Sequence, residues 1–107
     1  MARYILIDTN TGYIFGDSAD FAAGHQSDMV SIADAARMLD ESIGERDRTY
    51  TEYPSRPEGA SGYEVYRADV LGSEAITVVQ DGQCQETIEA VMRDCEYAGF
   101  VKVSEAV

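Results

Sequence analysis

Asp8-Thr9-Asn10-Thr11-Gly12 closes the apolar run Tyr4 to Ile7, and it is the one segment of this 107-residue chain whose residue types and spacing suggest chemistry. A carboxylate at a strand end can hold a divalent metal, and backbone N–H groups in a glycine turn can cradle a phosphate. The same residues also serve a plainer purpose, because Asn and Gly tolerate positive φ and close β-hairpins. The only lysine is Lys102, so none stands near the turn in sequence to neutralise a polyanion. The reading is therefore a structural hairpin turn.

The other reactive residues are scattered. His25 is the only histidine and lies near Ser27. Neither a nucleophile elbow nor a Gly-rich oxyanion loop accompanies it, so it reads as a solvated loop residue. Asp17, Asp20 and Asp28 lack the spacing of a calcium loop. Cys84 and Cys95 are too few for a disulfide framework. A zinc site would need His25 and a carboxylate as well, and these do not stand at finger-like spacing. No catalytic set, metal or cofactor is expected, and so no enzyme.

These residues need elements to position them. Residues 3–8 and 12–16 read as two strands around the turn, followed by a polar connection over 17–30. Ser31 reads as the N-cap of a first helix, with Asp34 in a capping-box position and Gly44 as its C′ residue. Its apolar stripe is Ile32, Ala35, Ala36, Leu39 and Ile43. Strands follow at 49–53, 63–68 and 75–80, with Pro54 to Gly62 as a loop. A second helix is expected from Gln85 to Ala98, with Ile88, Val91, Met92 and Cys95 buried and Gly99 at C′. Residues 100–103 form the last strand.

The order is β-β-α-β-β-β-α-β in a single domain over residues 1–107. Hairpins dominate, so the expected fold is α+β, with a mostly antiparallel sheet in two layers and both helices packed on one face. Seven tyrosines supply packing area, with hydroxyls reaching the rim. No apolar run approaches the ~20 residues of a membrane span, and Met1-Ala2-Arg3 leads straight into a strand rather than a leader. The expected location is cytoplasmic.

Charge is the stronger signal. Twenty Asp and Glu against eight Lys and Arg give −12, which repels nucleic acid and anionic membrane and favours basic partners. Acidity also keeps proteins dispersed, and that alternative stands beside the functional one. Asp40 and Glu41 fall in the last turn of the first helix and Glu45 follows; Asp94 and Glu96 fall in the last turn of the second. There they oppose the helix dipole, at about 0.3–1 kcal/mol each. Glu86, Glu89, Arg93 and Glu96 share one face opposite the apolar stripe. The candidate partner-binding residues are Asp40, Glu41, Glu45, Glu86, Glu89 and Glu96.

Three resemblances bear on function. The segment Ile5-Leu6-Ile7-Asp8-Thr9-Asn10 resembles the first strand of PIN-domain nucleases, which implies a metal at Asp8. That family continues into a helix, whereas Thr11-Gly12-Tyr13-Ile14-Phe15 returns as a strand. The Asp-led hairpin also resembles the phosphate loop of actin and sugar-kinase ATPases, which need two large lobes. By size, acidity and α+β architecture, without a motif, the chain resembles the acidic anti-CRISPR and DNA-mimic inhibitors of mobile elements. That resemblance implies a protein partner: the basic surface of a nucleic-acid-binding protein or nuclease complex, occupied through the helix acids. It implies no direct nucleic-acid or membrane contact, and a monomer or weak homodimer. The alternatives are a small metal- or nucleotide-dependent enzyme or ligand-binding domain using the Asp8–Asp17 hairpin, and a structural module that self-associates through an edge strand.

Overall fold

A computed structural model describes residues 4–17, 31–67 and 83–105. The elements are β1 (Tyr4–Asp8), β2 (Ile14–Asp17), α1 (Ile32–Ser42), β3 (Arg48–Tyr53), β4 (Gly62–Arg67), α2 (Gln85–Asp94) and β5 (Glu96–Glu105). The strands form one sheet in the order β2-β1-β4-β5-β3, and every neighbouring pair is antiparallel. The fold is α+β, as expected. The strand expected over 75–80 lies outside the described residues, as do Asp20, His25 and Asp28.

The helices do not share a face. Tyr4 and Leu6 of β1 pack with Ile32, Ala35, Ala36 and Leu39 of α1. Ile5 and Ile7, the alternate residues, pack with Ile88 and Val91 of α2. Successive side chains of a strand point to opposite faces, so α1 and α2 cover opposite faces in three layers. This corrects the two-layer expectation. The cause is visible in β1, where four consecutive apolar residues are all buried instead of alternating with polar ones.

Capping fixes α1. The Ser31 hydroxyl accepts the Asp34 N–H at 3.2 Å. At the other end the N–H of Gly44 donates to the Glu41 carbonyl and that of Glu45 to the Asp40 carbonyl, the paired bonds of a Schellman motif. Gly44, at φ 87°, supplies the left-handed residue this motif needs. Leu39 is buried as expected, but Ile43 is exposed.

The second helix stops earlier than its sequence suggests. It ends at Asp94, and Glu96 and Tyr97 already pair with Arg67 and Tyr66 of β4. Gly99 is not a helix cap. It lies inside β5 at a register shift against β4, with φ 136°. Pairing with β4 overrides the local helical pattern over residues 95–98. Met92, expected in the core, is exposed, whereas Val91 is fully buried.

Candidate functional site

The opening turn binds itself. The Asp8 carboxylate accepts the Asn10 N–H at 2.8 Å, and the Asp8 carbonyl accepts the Gly12 N–H at 2.8 Å. The Tyr13 N–H donates to the Thr11 hydroxyl at 3.2 Å. Thr9 ties the turn to β4: its N–H donates to the Gly62 carbonyl, and its hydroxyl accepts the Gly62 N–H, each at 3.0 Å. The N–H groups of Thr9, Asn10, Gly12 and Tyr13 all therefore have partners within the protein, and none of the four is free to cradle a phosphate. Among the described residues no group of three His, Cys, Asp or Glu could hold a metal ion.

Asp40 departs furthest from expectation. Expected on an exposed acidic face, it is fully buried. It continues the four-residue spacing of Ile32 and Ala36 and so faces the sheet. Its two carboxylate oxygens accept the hydroxyls of Tyr50 on β3 and Tyr63 on β4, both at 2.6 Å. Arg48 reaches the same carboxylate at 3.5 Å, Glu45 at 2.9 Å and Glu105 at 3.7 Å. Burial first, and the Asp40 hydrogen bond second, push both phenol pKa values well above the ordinary range. Partial burial pulls the Arg48 pKa down, but Glu45, Asp40 and Glu105 outweigh it and hold the guanidinium above its usual value. This network joins α1 to three strands. A carboxylate on an apolar stripe, matched to tyrosines on strands, was the sequence signal for it.

Beside this network lies an open cleft of about 200 Å³, lined among others by Asp8, Asn10, Arg48, Tyr63 and Glu105. Two of its charged groups already have partners, Arg48 in Glu105 and the Asp8 carboxylate in the Asn10 N–H of its own turn.

The other candidate acids do not form one surface. Glu41 is exposed and lies 3.5 Å from Arg37, and Glu45 pairs with Arg48. Glu86 and Glu89 are exposed on α2, across the sheet from α1, and among the described residues neither forms an ion pair. Arg93 pairs with Asp94 at 3.0 Å instead. Glu96 is exposed but opens β5 rather than extending α2. Asp40, Glu41 and Asp94 each have a partner, and Glu96 lies outside the helix.

Comparison with protein-family models, with curated proteins and with solved structures finds no match for this chain. Among the described residues no helix is long and apolar enough to cross a membrane.

Proposed function

We propose that this protein is a non-enzymatic binding module that occupies the basic nucleic-acid-binding surface of a target protein, as acidic DNA-mimic and anti-CRISPR inhibitors do. The observation that carries the reading is how its charge is distributed. Arg37, Arg48 and Arg93 are each held by the protein's own carboxylates. Glu86 and Glu89 stay exposed without an ion pair among the described residues. On a chain of net charge −12, these two carboxylates face outward with no ion-pair partner among the described residues.

The primary surface is the outer face of α2, with Glu86 and Glu89 one turn apart, about 5–6 Å between neighbouring β carbons. Glu41 and Glu45 form a second, partly neutralised surface on the other side of the sheet. Asp40 has no part in it. Inhibition would come from occupancy: carboxylates pair with the target's Arg and Lys and exclude its nucleic acid.

A pull-down from host lysate at low and high salt, followed by mass spectrometry, tests the reading. A basic protein should be retained at low salt, be released at high salt, and lose its nucleic acid when this protein is added. Glu86→Lys with Glu89→Lys should abolish capture. Retention that ignores both salt and the double reversal refutes the reading. For the rival hairpin site, calorimetry with Mg²⁺ and nucleotide before and after Asp8→Ala decides, because tight binding lost in the variant would favour an enzyme.

A further inference from the structure

We propose that the edge of β3 away from β5 is a self-association surface, taken by β3 of a second copy of this chain running antiparallel about a two-fold axis at Tyr50. Among the described residues β3 has β5 as its neighbour and nothing on its other side. Its register with β5 runs unbroken from Arg48 to Tyr53, whereas the β1–β2 and β4–β5 pairs both carry shifts. An edge this regular, without proline or bulge, is a template for another strand.

The backbone shows which groups it offers. The Val103 N–H donates to the Ser61 carbonyl, on the β4 side of β5. Val103 stands opposite Tyr50, so these two do not exchange hydrogen bonds. The N–H and C=O of Tyr50 therefore point away from β5, and by alternation so do those of Arg48 and Glu52.

The side chains supply the partner. Residues 48–52 read Arg-Thr-Tyr-Thr-Glu, a palindrome in residue type except that its ends carry opposite charge. A two-fold axis normal to the sheet keeps each side chain on its own face, so only residues of equal parity stand opposite. Centred on Tyr50, the pairing sets Arg48 opposite the partner's Glu52, Thr49 opposite the partner's Thr51, and Tyr50 opposite the partner's Tyr50. Arg48, Tyr50 and Glu52 then form the hydrogen-bonded pairs that the outward-pointing backbone groups require. Opposite charges and Thr–Thr pairs are both favourable cross-strand neighbours. Glu52 is exposed and, among the described residues, in no ion pair. Shifting by two residues either way sets Glu52 opposite the partner's Tyr50, or Arg48 opposite it, and loses the match within the strand.

Sedimentation equilibrium over a range of concentration and salt tests the surface. Two copies at −12 repel, so the dimer should strengthen as salt rises, opposite to binding of a basic target. Glu52→Arg should weaken the dimer about tenfold relative to Glu58→Arg, which makes the same charge change in an exposed loop. Register is read by cross-linking, with Cys84 and Cys95 replaced by Ser. An oxidised mixture of Thr49→Cys and Thr51→Cys chains should give a covalent dimer, and Thr51→Cys alone should not. Circular dichroism checks that each exposed-site variant folds. A monomer at every concentration and salt overturns the proposal. So does Glu52→Arg no weaker than Glu58→Arg, or Thr51→Cys linking to itself as readily as the mixture.

Discussion

At the scale of single residues, a buried carboxylate bridged by two phenols is the feature on which most of the chemistry depends. A hydrogen bond to a charged group contributes about 1.5–3 kcal/mol, and breaking a buried charged network costs about 3–5 kcal/mol. Asp40→Ala should therefore lower unfolding free energy by about 3–5 kcal/mol, and Tyr63→Phe by about 1.5–3 kcal/mol, as read by urea denaturation. Asp40→Lys would set a buried ammonium beside Arg48 and should be worse still, although a helix C-terminus favours lysine in general. The tyrosines set an alkaline limit. Their folded pKa values are raised, mainly by burial and then by Asp40, so the fold prefers the protonated phenol. That stabilisation is fully present below the ordinary phenol value of about 10 and is lost as pH rises through the raised folded values. Absorbance titration should show Tyr50 and Tyr63 ionising together with loss of structure, and Tyr63→Phe should reduce the late step.

At the scale of elements, the packing of α1 on the sheet depends on one small residue. A β carbon on Gly16 of β2 would run into the Leu39 side chain. Gly16→Ala should destabilise by about 1–3 kcal/mol through overpacking, and Leu39→Ala by about 2–5 kcal/mol through the cavity it leaves. Thermal and urea unfolding measure both. The start of α2 carries a different consequence. The backbone N–H of Thr87, its hydroxyl and the Glu86 N–H lower the pKa of the exposed Cys84 thiol. Neither cysteine forms a disulfide, and Cys95 packs partly against the α2 core. Maleimide labelling followed by mass spectrometry should modify Cys84 first and Cys95 only slowly.

At the scale of the whole molecule, two interactions are expected to respond to salt in opposite directions. Capture of a basic target rests on attraction screened over ~8 Å at physiological ionic strength, and it should weaken as salt rises. Pairing of β3 with a second copy rests on backbone hydrogen bonds made against net repulsion, and it should strengthen. Because α1 and α2 cover opposite faces, Glu86→Lys with Glu89→Lys and Glu41→Lys with Glu45→Lys report on separate surfaces. Affinity for the captured target should fall at least tenfold in the α2 pair and much less in the α1 pair, as measured by calorimetry. Direct binding of duplex DNA should be absent in a gel-shift assay, as the charge of −12 requires.

The chain's local rules were legible without coordinates: Ser31 as N-cap, Gly44 at C′, the Asn10–Gly12 turn, and Leu39 and Val91 in the core. Each depends on neighbours within a turn or two, where propensity and hydrogen-bond geometry decide. The acidity also belongs to the sequence alone. Other features were settled by residues far apart in the chain. Glu96 and Tyr97 became strand because Arg67 and Tyr66 pair with them, although their local pattern continues a helix. The helices took opposite faces because β1 is apolar on both sides. Asp40 left the surface because Tyr50 and Tyr63, from two different strands, converge on it with hydroxyls that satisfy a charge no helix could bury alone. Long-range pairing and burial override local preference wherever they contribute more than the few tenths of a kcal/mol that separate one local conformation from another.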